Sequence, residues 1–237
     1  GAYPAGAVGY DISFPQCGGA SVPATSPGGA PIQFLDVGVN NGRPFTANPC
    51  LANEYQLAVA RGNLVTWTMN IASPRGQASG FAQSGPAGHC ALSDNPCLSY
   101  NYGWYVAQYA DRYAKAVLQS IGVSAIPSTW WLDVEDANYW SATASLNAWA
   151  IQGAIDFFHG VGSDGATPRT IGVYSTRGHW NGIAGHDYVP RVPAWVAGAP
   201  SLRSTRDYCA PTSFTGAAVW LVQTFEGPYD ADYACPT

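Results

Sequence analysis

Short apolar segments alternate with helical segments along most of this chain, and this alternation most limits the folds open to it. It is typical of parallel strands joined by helical crossovers. Helices are predicted mainly between the first five of eight strands, which favours a closed barrel over an open sheet. Strands are predicted over residues 8–13, 31–39, 64–70, 129–134, 170–175, 193–197, 218–225 and 229–233, and helices over residues 52–61, 104–121 and 145–159.

The predicted fold class is α/β, with a single TIM-like barrel spanning residues 1–237. This length fits one large domain, and no linker-like segment divides it. A loop insertion is expected at about residues 72–103, where Gly, Ser, Pro and Asn accumulate. The sequence contains no Rossmann glycine fingerprint, P-loop or GxSxG elbow.

Charged residues are scarce at 11%, whereas aromatic residues reach 13%. A surface with so few charges must be covered by neutral polar groups and aromatic rings, which suits contact with sugars. The ten Lys and Arg residues are scattered and the net charge is −5, so nucleic acid is not an expected partner. We expect a polysaccharide substrate, a monomeric protein, and no cofactor or metal.

Six cysteines occur without a CxxC motif and without a His at zinc-site spacing. An even number in such a chain indicates three disulfides in an exported protein. No apolar run approaches the ~20 residues of a membrane span, and residues 1–7 contain no leader. We therefore expect a secreted protein whose signal peptide has been removed. Pairing of nearest neighbours predicts the disulfides Cys17–Cys50, Cys90–Cys97 and Cys209–Cys235.

The segment WWLDVED at residues 130–136 leads from apolar residues into two carboxylates at positions i and i+2. On a strand, Asp133 and Glu135 would project to the same face. Two like charges so close raise the pKa of at least one partner. Cleavage of a glycosidic bond uses one protonated carboxyl beside one ionised carboxylate. The alternative is a pair of buried, hydrogen-bonded acids without a chemical role.

Other acids are predicted to join this pair at one end of the barrel. Barrel active sites form at the C-terminal ends of strands, and Asp11 lies near that end of the first strand. Asp230 and Asp232 lie at the last strand, which adjoins the first when the barrel closes. Aromatic residues on the same strands are candidates for stacking on sugars, although ordinary core packing is the alternative for each. They are Trp67, Trp131, Tyr174, Trp195 and Phe225.

Other polar residues are weaker candidates. Asp36 lies within an apolar strand and is interpreted as a structural acid, and Glu226 can reach the mouth from the end of the seventh strand. Ser175, with His179 and His186 in a following loop, raises the alternative of a serine hydrolase. Nothing places Ser175 in a nucleophile elbow, so this alternative is not favoured.

Several segments together resemble the glycoside hydrolase family 25 lysozymes, which are secreted muramidases with a (β/α)5(β)3 barrel. They follow one another in the order expected for that family and extend over nearly the whole chain. They are GYDIS at residues 9–13, LDVE at 132–135, IGVYS at 171–175, AWVAG at 194–198 and VQTF at 222–225.

The resemblance implies that Glu135 is the general acid and that Asp133 assists the second step. Asp11 and Asp230 would be the flanking acids of the cleft. Asn70 stands where the family places an aromatic–His pair, and the insertion at residues 72–103 has no family counterpart. Both features would lie beside the cleft, so peptidoglycan and other wall glycans both remain open as the substrate.

We therefore expect a secreted glycoside hydrolase that cleaves a bacterial cell-envelope polysaccharide. Glu135 is expected to carry a proton, and Asp133 to stay ionised if donors such as Asn70 face it. The alternative is a non-catalytic glycan-binding module built on a hydrolase-like barrel. The presence of all four acids favours the enzyme, because a binding module has no need for a like-charge pair.

Overall fold

Eight strands of this protein close into a single barrel, as expected. The computed structural model describes residues 2–17, 22–75, 80–162, 165, 167–225 and 229–237. The strands are β1 (Val8–Ile12), β2 (Phe34–Gly38), β3 (Leu64–Asn70), β4 (Ser84–Gly85), β5 (Gly88–His89), β6 (Thr129–Asp133), β7 (Thr170–Ser175), β8 (Ala194–Ala199), β9 (Val219–Thr224) and β10 (Ala231–Ala234). The helices are α1 (Leu51–Ala60), α2 (Asn95–Ser120), α3 (Ala144–Phe158) and α4 (Arg177–Ile183).

The barrel order is β1-β10-β9-β8-β7-β6-β3-β2, and β4 and β5 form a separate small hairpin. Neighbouring barrel strands are parallel except that β10 runs antiparallel to both β1 and β9. The α/β barrel predicted from the sequence is thus confirmed. Among the described residues, α-helices follow four strands, whereas the connection after β1 contains a 3-10 helix at Phe14–Gln16.

Two helices differ from the sequence-based expectation. Helix α2 begins at Asn95, inside the segment expected to be loop, because the Asp94 carboxylate caps it by accepting from the backbone N of Cys97 at 3.2 Å. Helix α4 occupies the segment expected to be a loop around His179. Thr176 caps it by accepting from the backbone N of His179 at 3.0 Å. Polar residues and glycines near both caps interrupt the apolar periodicity of a helix, so the sequence pattern did not predict these helical segments.

Helices α2 and α3 pack against each other through glycines on the outside of the barrel. A Cβ added at Gly103 would lie 1.8 Å from the carbonyl oxygen of Ala150. A Cβ added at Gly153 would lie 2.0 Å from the carbonyl oxygen of Tyr100. Two glycines are therefore required for the close backbone approach of these helices.

The N-terminal segment closes the barrel at the N-terminal ends of its parallel strands. The Tyr3 hydroxyl donates to Thr66 Oγ1 at 2.9 Å and accepts from Trp131 Nε1 at 2.8 Å. Its ring also packs edge-on against Phe34, with centroids 4.8 Å apart. In the described part of the chain, these side chains fill this end of the barrel, and the cavity rich in carboxyl groups opens at the opposite end.

The three predicted disulfides are confirmed: Cys17–Cys50, Cys90–Cys97 and Cys209–Cys235. Of the described helices, none is both long and apolar enough to cross a membrane. In the same described part of the chain, no group of three or more His, Cys, Asp or Glu side chains is arranged to hold a metal ion.

Candidate active site

A cavity of about 190 Å³ opens at the C-terminal ends of the parallel strands. Its walls come from all seven parallel strands and from neighbouring segments, and they are rich in carboxyl and amide groups. All four predicted catalytic acids lie in this wall, and their chemical roles remain predictions. The lining residues are Asp11, Ile12, Ser13, Asp36, Gly38, Thr68, Asn70, Asp133, Glu135, Tyr174, Trp195, Gln223 and Asp230.

The alternation of side chains along β3 decides which of its residues reach the cavity. Thr66 and Thr68 both donate to the Asp36 carboxylate inside the barrel, the first at 2.6 Å. Asn70, two residues further, continues this inward row and donates from Nδ2 to Asp133 Oδ2. The backbone of Asn70 is held by Asn40, which donates to its carbonyl oxygen at 3.0 Å and accepts from its N at 3.1 Å.

Asp133 ends β6, and Glu135 follows it in an extended segment that neighbouring groups hold in place. The backbone N of Val134 donates to the carbonyl oxygen of Tyr174 at 3.0 Å, and Ser175 Oγ donates to the carbonyl oxygen of Val134 at 2.7 Å. Trp140 Nε1 donates to the carbonyl oxygen of Glu135 at 2.7 Å. These contacts keep both carboxyls facing the cavity, although β6 ends at Asp133 and Glu135 lies beyond it.

Asp230 reaches the mouth for a different reason from the one expected. It does not lie at the C-terminal end of a strand. It precedes β10, and because β10 runs antiparallel to β1, the start of β10 lies beside the end of β1. The backbone N of Asp11 donates to the carbonyl oxygen of Asp230 at 3.3 Å, which places the two acids next to each other.

Gln223 and Tyr174 connect Asp11 to the opposite wall of the cavity. Gln223 Nε2 donates to Asp11 Oδ2 at 2.7 Å, and the Tyr174 hydroxyl donates to Gln223 Oε1 at 2.7 Å. Gln223 was not predicted as a site residue from the sequence. The available signal was a polar side chain that directly follows the apolar run at residues 219–222 of β9.

The four acids have raised pKa values because the cavity withdraws them from solvent. Burial, and then the charge of Asp230, raise the pKa of Asp11 to about 8. Burial and the neighbouring Glu135 raise the pKa of Asp133 well above its ordinary value. Burial also raises the pKa of Glu135 and of Asp230. Each carboxyl therefore binds its proton more tightly than a carboxyl in free solution does.

The expectation that Asp133 stays ionised remains a prediction, because its surroundings act on it in opposite directions. Asn70 does donate to Asp133 Oδ2, but Asp133 Oδ1 is buried without a hydrogen-bond partner among the described residues. One donor does not offset burial and the adjacent Glu135 carboxyl, so the pKa of Asp133 rises. Because the charge of Glu135 acts on Asp133, the protonation of the two carboxyls is linked.

Several predicted sugar-binding residues lie away from the cavity. Trp67 is fully buried and points outward, because its neighbours Thr66 and Thr68 point inward; its ring stacks on Tyr55 with centroids 5.9 Å apart. Trp131 is also fully buried, in a layer below the cavity against Tyr3. Neither ring is accessible to a glycan in this structure.

The remaining predicted residues divide between the cavity and other positions. Tyr174 and Trp195 line the cavity. Asp232 is fully buried, accepting from Trp195 Nε1 at 2.8 Å, and lies below the cavity rather than in its wall. Phe225 is 63% exposed and follows β9 at the mouth without lining the cavity. Glu226 lies outside the described residues.

Two alternatives from the sequence are resolved by these contacts. Asp36 is buried and accepts from two threonines, as expected of a structural acid, yet it also forms the floor of the cavity. Ser175 is fully buried with its hydroxyl bonded to the backbone of Val134. It is therefore unable to act as a nucleophile, and the serine hydrolase alternative is wrong.

His179 is a neighbour of the cavity that the sequence analysis did not connect with the acids. Its Nδ1 lies 3.8 Å from Glu135 Oε1, and its Nε2 lies 3.6 Å from Asp136 Oδ2. The imidazole therefore stands between two carboxylates on the outer side of Glu135. Its distance along the chain from Glu135 concealed this contact until α4 was placed.

Comparisons with known proteins show similarity in fold. Neither family models nor curated protein sequences give a significant match. Among solved structures, a family GH25 lysozyme from Aspergillus fumigatus is 16% identical, with a TM-score of 0.59 over 98% of this chain and 94% of that one. The bacterial lysozyme from Streptomyces coelicolor is 16% identical, with a TM-score of 0.58 over 99% of this chain and 94% of that one.

The spore cortex lytic enzyme SleM of Clostridium perfringens is 12% identical, with a TM-score of 0.60 over 98% of this chain and 68% of that one. At these identities the similarity is one of fold. The resemblance to family 25 lysozymes suggested by the sequence motifs is thus confirmed for the architecture of the barrel over nearly the whole chain.

Proposed function

We propose that this protein is a secreted glycoside hydrolase that cleaves a bacterial wall glycan by acid–base catalysis. The observation that carries the proposal is the convergence of Asp11, Asp133, Glu135 and Asp230 on one cavity. The lysozymes with a similar fold act on the same class of polymer, and the three disulfides suit a protein exported to an oxidising environment.

Glu135 is the proposed proton donor to the leaving glycosidic oxygen. It is the outer member of the coupled pair, partly open to the cavity, whereas Asp133 lies deeper. The competent form of the pair carries a proton on Glu135 and none on Asp133. The hydrogen bond from Asn70 favours this form because it stabilises negative charge on Asp133. Ionised Asp133 would then support the oxocarbenium-like transition state.

The size of the cavity constrains how a polymer would bind. At about 190 Å³ it is smaller than pockets that enclose a drug-sized ligand, which span roughly 300–1,000 Å³. We therefore propose that a glycan lies across the mouth with one sugar residue inserted among the acids. Tyr174 would contact that sugar, with the buried Trp195 packed behind it, and Phe225 at the rim is positioned for its neighbour in the chain.

The experiment incubates the protein with purified peptidoglycan and with a panel of other wall glycans, and measures newly formed reducing ends. Glu135→Gln is the variant expected to be inactive. Asp207→Asn, at an exposed position outside the cavity, is its matched control. We expect wild type and Asp207→Asn to release reducing ends from at least one wall glycan, and Glu135→Gln to release far fewer. Binding to a glycan without any release by the wild type would instead establish the binding-module alternative.

A further inference from the structure

We propose that His179 is a positioning residue for this reaction: standing between Asp136 and Glu135, it holds the Glu135 carboxyl at the cavity wall and controls the protonation of that carboxyl. The inference rests on the proposed function and extends it to a residue outside the cavity. His179 is not among the residues that line the cavity.

The geometry supports an electrostatic contact rather than a hydrogen bond. The separations of 3.8 Å from Glu135 Oε1 and 3.6 Å from Asp136 Oδ2 both exceed hydrogen-bonding distance. His179 Nδ1 is nevertheless shielded from solvent and has no hydrogen-bond partner among the described residues. A shielded ring nitrogen directed at a carboxyl transmits its charge to that carboxyl more strongly than an exposed one would.

The two carboxylates that flank His179 differ in exposure. Asp136 is 79% exposed, whereas Glu135 is 29% exposed and faces the cavity. Solvent can therefore exchange protons with the Asp136 side of the imidazole while the Glu135 side stays shielded. A positive charge on His179 favours ionised Glu135, and this charge accordingly lowers the pKa that burial raises.

Other ionisable groups also act on Glu135, and none of them replaces His179. Three of them are acids whose negative charge opposes the ionisation of Glu135: Asp133 from β6, Asp136 in its own segment and Asp230 before β10. The neutral hydroxyl of Tyr174 from β7 acts in the opposite direction and, like a charge on His179, lowers the pKa of Glu135. In the described part of the chain, His179 is therefore the group of this environment that can bring a positive charge to Glu135. Within α4, Arg177 is the other basic residue, and no ion pair joins it to Glu135.

The consequence concerns the protonation of the acid. A positive charge at position 179 favours the ionised form of Glu135, so Glu135 loses its proton at a lower pH than burial alone would set. Removing this charge should therefore raise the pH up to which Glu135 can donate a proton.

The experiment measures the titration of Glu135 directly, without requiring activity. The chain contains three glutamates, Glu54, Glu135 and Glu226, so a protein labelled with ¹³C at glutamate Cδ gives three carboxyl signals. Glu135→Gln assigns the signal of interest. We expect the titration midpoint of Glu135 to rise by about 1 pH unit in His179→Gln, the lower end of the effect of a charge at this distance.

Two variants serve as controls. His179→Arg places a permanent positive charge at this position, so the Glu135 midpoint should stay at or below that of the wild type. His186→Gln removes an exposed histidine beyond α4 and should leave the midpoint unchanged. The fold should tolerate substitutions at position 179, because the helix cap uses its backbone N and not its side chain.

Kinetic measurements complete the test. On a soluble wall glycan, His179→Gln should move the alkaline limb of the kcat/KM profile upward with the NMR midpoint and leave KM within about twofold. An unchanged Glu135 midpoint in His179→Gln, or an equal shift in His186→Gln, overturns the inference. If the Glu135 midpoint shifts in His179→Gln but the wild type cleaves no glycan, the contact between His179 and Glu135 is supported and the glycosidase proposal is overturned.

Discussion

At the scale of single residues, Glu135 carries the most specific prediction. Glu135→Gln should lower turnover on a natural glycan by about 10²–10⁴-fold, the usual contribution of general-acid assistance. The loss should be smaller on an activated aryl glycoside, because its leaving group needs little protonation. Parallel assays on both substrates, with circular dichroism to confirm folding, provide the measurement. Equal losses on the two substrates would contradict the role of Glu135 as proton donor.

Asp133 should behave differently from Glu135 when substituted. Asp133→Asn removes the negative charge that supports the transition state and should lower kcat by roughly 10²–10³-fold, as loss of one stabilising group does in other enzymes. The loss should be similar on natural and activated substrates, since it does not depend on the leaving group. A variant whose activity recovers on the aryl glycoside would show that Asp133 acts in proton donation instead.

Positions of single residues were predicted correctly from the sequence where the alternation of side chains along a strand was respected. Asn70 and Asp133 were correctly expected at one mouth, and they are hydrogen-bonded there. Trp67 was also assigned to the cleft, although it lies an odd number of positions from Asn70 and therefore had to point to the opposite face. Parallel strands in a barrel carry apolar residues on both faces, so the composition of β3 did not indicate which face Trp67 occupies.

At the scale of secondary structure, the packing of α2 on α3 depends on two glycines. Gly103→Ala and Gly153→Ala should each destabilise the protein by at least about 1–3 kcal/mol, because the added Cβ overlaps a backbone carbonyl of the facing helix. This loss outweighs the gain of up to about 1 kcal/mol that alanine brings to a helix. Chemical denaturation followed by tryptophan fluorescence measures both effects.

Gly182 offers the matched control for these substitutions. It lies within α4, and no described atom comes within 4 Å of a Cβ placed there. Gly182→Ala should therefore leave stability unchanged or raise it slightly. If Gly103→Ala and Gly182→Ala had the same effect, the close approach of α2 and α3 would not be the reason for glycine at position 103.

The elements that the sequence did not predict share a physical cause. Strands β3 and β7 were placed at their observed bounds, because each is a β-rich apolar run ended by polar residues. The start of α2 was missed because Gly, Ser and Asn occur in its first turns, and its cap and a proline outweigh their propensities. The direction of β10 was not foreseen because it depends on how the chain returns to β1, which no local pattern encodes.

At the scale of the whole molecule, the buried carboxyls link stability to pH. Asp11 ordinarily loses its proton near pH 3.8, as it does in the unfolded chain, but keeps it to about pH 8 when folded. The pKa of Asp36 rises likewise, to about 6, because of burial. A raised carboxyl pKa means that the folded state binds protons more tightly, so stability is greatest below about pH 4 and falls as the pH rises to about 8.

Asp11→Asn should flatten this dependence. Each such carboxyl contributes at most about 1.4 kcal/mol per pH unit between its unfolded and folded pKa values, and less for Asp11 because the cavity admits some solvent. Urea unfolding at intervals from pH 4 to pH 8 should show a shallower decline for Asp11→Asn than for the wild type. The unfolding free energy of the exposed variant Asp207→Asn should decline with pH in parallel with that of the wild type. If the curve of Asp11→Asn were also parallel, Asp11 would not be a source of the pH dependence.

The antiparallel pairing of β10 with β1 also brings the segment before β1 beside the segment after β10. The backbone N of Gly6 donates to the carbonyl oxygen of Ala234 at 2.9 Å, so these two segments lie side by side at the face opposite the cavity. A fluorophore, surface anchor or affinity tag attached to either segment would thus project away from the mouth. The same proximity makes the barrel suited to circular permutation, in which a short linker joins residues 2 and 237 and the chain is opened in an exposed connection.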